Sequence, residues 1–139
     1  MAVNAVVELR TYKYKKQQLA MIESQLDYLE KSKVKVSKYD DEAAGDRVSL
    51  HDQYMKLMNK KDRLKLEELQ LRLDIAAVDR ALQEMAITTP YETNALKLRY
   101  LEDRQYSYIE CKLGFCEREI RNKIRKGERE LERLLSLIK

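Results

Sequence analysis

The apolar side chains in the first part of the chain recur every three or four residues. They are Leu19, Ile22, Leu26 and Leu29, and Tyr12 and Val36 extend the same series outward. Because an α-helix has 3.6 residues per turn, this spacing puts the series on one helix face, with charged residues on the others. The pattern predicts a helix over about Val3–Val36. The acidic stretch Ser37–Asp46, which contains Gly45, predicts the loop of a helical hairpin.

A longer apolar series follows this loop and alternates between steps of four and three residues. Its members are Leu50, Tyr54, Leu57, Lys61, Leu64, Glu68, Leu71, Ile75, Val78, Leu82 and Met85. A sustained period of 3.5 residues predicts coiled-coil packing against the first helix, against another copy of the chain, or against both. A helix over Leu50–Ala86 would be about 55 Å long and cannot bury the series alone. We therefore expect a homodimer through this coiled coil.

Two polar residues interrupt the 4–3 series. Lys61 and Glu68 stand at positions where the pattern calls for apolar side chains. Buried polar groups set the register of some coiled coils. Simple exposure at a wide part of the hairpin explains them equally well, so both interpretations stay open.

The segment Thr88-Thr89-Pro90 predicts the end of the long helix. Proline cannot continue a helix, and it disfavours helical geometry at the residue before it. Proline is well suited to the first turn of a new helix, for which Thr89 would be the N-cap. The sequence thus predicts a helical hairpin or coiled-coil region at residues 1–88 and a second region at residues 89–139.

Three shorter helices are predicted after Pro90. The first covers about Tyr91–Leu101, and the polar corner Glu102-Asp103-Arg104 separates it from the second, over about Gln105–Leu113. Gly114 stands where a residue with positive φ closes a helix. A third helix begins near Cys116 and continues toward the C-terminus. The inward-facing side chains of the three helices are predicted to be Ala95, Leu98, Leu101, Ile109, Leu113, Ile120, Ile124, Leu131 and Leu134.

Composition supports an all-α fold with few, long elements. Charged residues make up 37% of the 139-residue chain, and three glycines and one proline leave little material for the many turns of a β-sandwich or barrel. The net charge of +4 is too modest to indicate nucleic acid by itself. Cys111 and Cys116 are five residues apart and distant from the single His51, so neither a zinc site nor a CxxC motif is predicted. We expect two reduced thiols packed near a turn.

Other classes of function have little support in the sequence. No apolar run approaches the roughly 20 residues of a membrane span, and the N-terminal residues do not resemble a signal peptide. Gly45, Gly114 and Gly127 are isolated, so no glycine-rich phosphate loop is present. The sequence contains no nucleophile–base pair. We therefore expect a cytoplasmic protein that is not an enzyme and needs no cofactor, metal or membrane.

A short helix, a tight Leu-Gly turn and a second helix form the layout of a helix-turn-helix. The outer face of the second helix would enter the major groove of DNA, where arginine pairs with guanine, asparagine with adenine and glutamate with cytosine. The candidates for base contacts are Glu117, Arg118, Arg121, Asn122 and Arg125. The candidates for phosphate contacts are Lys112, Lys123, Lys126 and Arg129. We expect Tyr100 and Tyr106 to pack at the corner and to support this arrangement.

The segment Leu96-Lys97-Leu98-Arg99-Tyr100-Leu101-Glu102-Asp103, with Tyr106, Ile109, Leu113-Gly114-Phe115-Cys116 and Ile120, resembles region 4 of bacterial sigma factors. The motif covers about 40 residues. A basic N-terminal helix with Tyr12-Lys13-Tyr14-Lys15-Lys16, an acidic loop, a long coil and this C-terminal region together resemble small phage regulators of the ArpU type. The resemblance implies an activator of late genes in a phage or prophage, acting in the bacterial host cell.

Three hypotheses of function follow. The first is a sequence-specific transcription regulator that binds double-stranded DNA through the recognition helix and dimerises, or meets RNA polymerase, through the coil. The second is a phage small-terminase type of DNA-packaging subunit, which would form a ring of many copies. The third is a polymerase-binding module without DNA readout, which would tolerate charge reversal at Arg118 and Arg121.

Overall fold

The computed structural model describes residues 3–40 and 47–138, and these residues form helices and their connections without a strand. The all-α prediction is confirmed. The helices are α1 (Ala5–Asp40), α2 (Arg47–Thr88), α3 (Pro90–Leu96), α4 (Tyr106–Leu113) and α5 (Glu117–Ile138), and a π-helical turn (Lys97–Leu101) continues α3. No helix in the described ranges has both the length and the apolar character needed to cross a membrane.

The boundaries of the two long helices differ from those predicted. Helix α1 continues to Asp40, so the first four residues of the predicted loop are helical. Residues 41–46, with Gly45, lie outside the described part of the chain. Helix α2 begins at Arg47, before the predicted start at Leu50. These polar residues have no proline among them, so the helices extend beyond their apolar series.

The described residues divide into two compact units. The first unit comprises residues up to 16 together with those from 73 onward, and the second unit comprises residues within 17–72. The first unit therefore includes the beginning of α1 and the last part of α2 as well as α3, α4 and α5.

In the second unit, α1 and α2 pack through an apolar cluster. Its buried members are Ile22, Leu29 and Leu64, and the half-buried Leu26, Leu57 and Leu71 pack against them. Glu23 of α1 accepts a hydrogen bond of 2.6 Å from Arg72, whereas Glu30, further along α1, pairs with Lys61, which is earlier in α2. Because later residues of α1 meet earlier residues of α2, the two helices run in opposite directions within this unit.

Lys61 is buried in the second unit. Only 8% of the residue is accessible, and its ammonium group forms an ion pair with the more exposed carboxylate of Glu30. The aliphatic stem of lysine can cover apolar surface while its charged end reaches the edge of the contact. Simple exposure is therefore wrong as an explanation of this polar position in the 4–3 series.

In the first unit, the ends of α1 and α2 also bury one face of each helix. Ala5, Leu9 and Tyr12 of α1 are buried, as are Ile75, Val78, Leu82 and Met85 of α2. The Tyr12 hydroxyl donates a hydrogen bond to Asp79, and Lys15 lies 3.5 Å from Asp74. Burial and the Asp79 hydrogen bond raise the pKa of Tyr12. The backbone N–H of Ala5 donates to Glu132 of α5 at 3.3 Å, so α1 also contacts the C-terminal helix.

Helix α5 packs against both α3 and α4. The buried side chains of these three helices include Ala95, Leu96, Ile109, Ile120, Ile124, Leu131 and Leu135. Gly127 lies at a close approach of α5 to α3, because a Cβ atom at this position would be 2.8 Å from Leu96 Cδ1 and 3.2 Å from the Glu92 carbonyl oxygen. The absent side chain at Gly127 thus allows α5 to lie directly on α3.

Candidate nucleic-acid interface

Pro90 begins α3 one residue after α2 ends, as the sequence predicts. Thr89 occupies the N-cap position, but its side chain makes no capping hydrogen bond. Its hydroxyl instead donates to the Met85 carbonyl of α2 at 3.1 Å, while its own carbonyl accepts from the Thr93 N–H at 3.0 Å. Thr89 is therefore the N-cap residue of α3, as predicted, but its hydroxyl bonds to the preceding helix and does not cap α3.

A π-helical turn ends the first of the three short helices. The Glu102 N–H donates to the Lys97 carbonyl at 2.9 Å, five residues back, and Asp103 follows with a φ of 52°. The Tyr100 hydroxyl donates a 2.7 Å hydrogen bond to Glu128 and ties the turn to α5. Burial, together with the Glu128 carboxylate, raises the pKa of Tyr100 to about 12. Tyr100 therefore supports the corner as predicted, through a polar contact as well as packing.

The turn between α4 and α5 is built around Gly114. This residue has a φ of 77°, and its N–H donates to the Glu110 carbonyl at 2.8 Å, which closes α4 as predicted. Ile109 is fully buried, whereas Leu113 and Phe115 are half-buried. The carbonyl of Cys116 accepts the Ile120 N–H at the start of α5. The thiols of Cys111 and Cys116 are free, as we expected. Both residues are exposed, so the expectation that they pack near the turn is wrong.

The five predicted base-contact residues come together on the exposed side of α5. Glu117, Arg118, Arg121, Asn122 and Arg125 line one shallow surface depression. The spacing of Arg118, Asn122 and Arg125 puts them on one helix face, opposite the buried Ile120 and Ile124. All the lining residues belong to a single helix, so the depression lies between splayed side chains. It is an open, polar surface and not an enclosed ligand cavity.

Several cations on this side of the molecule have no anionic partner among the residues that the structure describes. Arg118, Arg125 and Arg129 are exposed, and none forms an ion pair with a residue in the described ranges. The same is true of Lys112, at the end of α4, and of Lys126. Arginine donors that are not already paired remain available to acceptors on another molecule.

Arg121 is held by its neighbours. Its Nη2 and Nε atoms donate to the same Glu117 oxygen at 2.7 and 3.2 Å, and this carboxylate raises the pKa of Arg121. Its Cζ atom lies 4.8 Å from the centroid of the Tyr106 ring, and Arg99 lies 4.5 Å from the same centroid. Glu117 and Tyr106 thus orient the guanidinium group, while the residue remains exposed.

Lys123 has a different environment from the other predicted phosphate-contact residues. It is half-buried, with its ammonium nitrogen 4.5 Å from the Phe115 ring centroid and 5.4 Å from that of Tyr91. The two rings pack edge to face, with centroids 5.5 Å apart. Cation–π contacts of this kind stabilise packing. The structure therefore places Lys123 against an aromatic pair at the α4–α5 turn.

Sequence reasoning missed several residues beside this surface. Arg10 and Lys13 of α1 lie next to Arg99, although about 90 residues separate them in the chain. The local sequence around Tyr12 is rich in lysine, but no periodicity indicates which surface it meets. Only the packing of α1 in the first unit brings these cations to the π-helical turn.

The chemistry of this surface is that of hydrogen-bond donors and positive charge. No group of histidine, cysteine, aspartate or glutamate residues in the described ranges is arranged to hold a metal ion. No model of a protein family matches the chain, and no curated protein or solved structure is significantly similar to it.

Proposed function

We propose that this protein is a sequence-specific transcription regulator that binds double-stranded DNA through a helix-turn-helix formed by α4 and α5. The observation that carries the proposal is the exposed face of α5, where Arg118 and Arg125 lie beside Asn122 and form no ion pair with any residue that the structure describes. Helix α4 packs behind this face and leaves it open.

The dimensions and the chemistry of α5 suit a recognition helix. An α-helix with side chains is about 10–12 Å across, and the major groove of B-DNA is about 12 Å wide. Arg118 and Arg125 can each donate two hydrogen bonds to guanine, and Asn122 can pair with both edge groups of adenine. Lys112, Lys126 and Arg129 supply the phosphate contacts that set the register.

We further propose that α1 and α2 form an antiparallel hairpin and that a second copy of the chain packs against it. An exposed apolar face of α2 in the second unit supports the packing of a second copy. On this face Met55, Leu66 and Leu69 are exposed to 45%, 67% and 54%. Their steps of 11 and 3 residues keep them in phase along the helix. Contact with RNA polymerase, and a role in phage late-gene activation, follow only from the resemblance to sigma region 4 and ArpU-type regulators.

The test is selection of bound duplexes from fragmented genomic DNA of the source, at two salt concentrations. We expect enrichment of one or a few upstream regions that persists at the higher salt. On an enriched site, Arg125→Ala and Asn122→Ala should each cost about 1–3 kcal/mol, with little effect on random DNA. Arg63→Ala is the matched control, because Arg63 is an exposed cation on α2 in the second unit.

Two results would contradict the proposal. Diffuse binding that disappears at the higher salt would indicate phosphate contacts alone and would favour a DNA-packaging subunit. Absence of binding at both salt concentrations, with the helical content retained, would favour a polymerase-binding module.

A further inference from the structure

We infer that Arg10, Lys13 and Arg99 form a second DNA-binding surface that holds the phosphate backbone beside the groove occupied by α5. This inference rests on the proposed function and extends it to α1. We call these three residues the flanking cluster.

The flanking cluster is a compact patch of positive charge within the first unit. Its three cations line one surface depression together with Tyr100 and Asp103. Lys13 Nζ lies 3.5 Å from the Asp103 carboxylate. Three cations and one carboxylate leave an excess of positive charge.

Aromatic rings and the backbone orient the two arginines. Arg10 Cζ lies 5.8 Å from the Tyr100 ring centroid, and Arg99 Cζ lies 4.5 Å from that of Tyr106. Arg99 also donates one hydrogen bond to the Arg104 carbonyl at 3.2 Å, which leaves its other N–H groups available. A guanidinium group that is already oriented loses less entropy when it binds an anion.

The position of Tyr106 relates the flanking cluster to α5. Arg99 Cζ and Arg121 Cζ both lie within 5 Å of the same ring centroid, so they are less than about 10 Å apart. The major groove is about 12 Å wide. When Arg121 faces base edges in the groove, Arg99 is therefore within reach of the sugar–phosphate strand that borders it.

The anion that suits this surface is the phosphate of duplex DNA. Exposed cations without complementary apolar surface give strength and register to binding but no base specificity. The flanking cluster should therefore contribute equally to binding of a selected site and of a scrambled duplex. In this it differs from Asn122 and Arg125, which we propose discriminate between the two.

A substitution at Asp103 should change the affinity for DNA in the opposite direction, toward tighter binding. Its carboxylate competes with phosphate for Lys13, and its φ of 52° is one that asparagine also adopts readily. Asp103→Asn therefore removes a negative charge from the flanking cluster with little disturbance of the backbone. We expect this variant to bind both duplexes more tightly than the wild-type chain.

The experiment measures fluorescence anisotropy of the full chain on a selected and a scrambled duplex between 50 and 200 mM salt. The variants are Arg10→Gln/Lys13→Gln and Asp103→Asn. The control Arg63→Gln/Lys65→Gln removes the same amount of charge at two exposed positions of α2 in the second unit. Each lost phosphate contact lowers the slope of log affinity against log salt by about 0.9.

We expect Arg10→Gln/Lys13→Gln to weaken binding of both duplexes by the same factor. Across this salt range, the affinity of the wild-type chain should fall about tenfold more than that of the variant. The control should keep the wild-type slope.

Several outcomes would overturn the inference. It is wrong if Arg10→Gln/Lys13→Gln keeps the affinity and salt slope of the wild type, or if it weakens binding of the selected site alone. If that variant fails to fold by circular dichroism, unchanged binding by Asp103→Asn overturns the inference instead. A wild-type chain that binds neither duplex would refute the proposed function itself, which distinguishes the two failures.

Discussion

Gly127 lies at a close approach of α5 to α3, and Gly127→Ala tests how tightly the two helices pack there. The added methyl carbon would be 2.8 Å from Leu96 Cδ1, 2.9 Å from Leu96 Cγ and 3.2 Å from the Glu92 carbonyl oxygen. Leu96 is fully buried, so its side chain has little room to rotate away. The backbone oxygen can move only if α3 itself shifts.

Two opposing effects decide the change in the free energy of unfolding. Replacing glycine by alanine inside a helix favours folding by about 1 kcal/mol. Forcing an additional carbon into a well-packed core costs about 1–3 kcal/mol. Because two contacts are shorter than 3.0 Å and the third involves backbone, we expect the packing cost to exceed the gain in helix propensity. The net loss of stability should therefore be at most about 2 kcal/mol.

Urea and thermal unfolding followed by circular dichroism would measure this loss, with a decrease in Tm of roughly 3–5 °C per kcal/mol. Leu96→Ala should cost about 2–5 kcal/mol alone. The double variant should be less destabilised than the two single variants together, because the shortened side chain removes the clash. A Gly127→Ala protein that is about 1 kcal/mol more stable than the wild type would show that α3 and α5 do not pack this closely.

Three further predictions concern the turn, the π-helical segment and the buried lysine. Gly114→Ala should reduce the free energy of unfolding by about 1–2 kcal/mol, because the φ of 77° is unfavourable for a residue with a Cβ atom although no other atom lies near that Cβ. Gly114→Asn should reduce it by less, because asparagine adopts this φ more readily. Variants that are both as stable as the wild type would contradict this prediction. Since the pKa of Tyr100 rises from 10 to about 12 on folding, its contribution to stability is complete below pH 10 and decreases as the pH rises toward 12. Tyr100→Phe should remove that part of the pH dependence, and an unchanged profile would show that burial and Glu128 do not raise the pKa of Tyr100. Lys61→Met should leave the Tm within a few degrees of the wild type or raise it. Methionine keeps the apolar packing of the lysine stem, and the Glu30 carboxylate is half exposed, so water can solvate it when its partner is removed. A large decrease in Tm would mean that the ion pair itself stabilises the second unit.

The sequence predicted which residues line the candidate interface, but not the contacts that these residues make with other side chains. Spacing alone placed Arg118, Asn122 and Arg125 on one face of a helix, and they line one surface. The same reasoning assigned Lys123 to phosphate, whereas its ammonium group lies over Phe115 and Tyr91. A helical period indicates which side chains share a face, but it does not indicate which neighbours from other helices flank that face.

The sequence by itself determined that the chain is helical and that helices end near Pro90 and at Gly114. The apolar period, Pro90 and Gly114 act over one or two turns of chain, so their effects can be read locally. The tertiary structure decided which polar groups meet: Thr89 turns back to α2, Glu117 and Tyr106 hold Arg121, and the lysine-rich start of α1 reaches Arg99. These contacts depend on how separate helices pack. Packing brings together residues that are far apart in the sequence, and no local pattern in the sequence indicates which of them will meet.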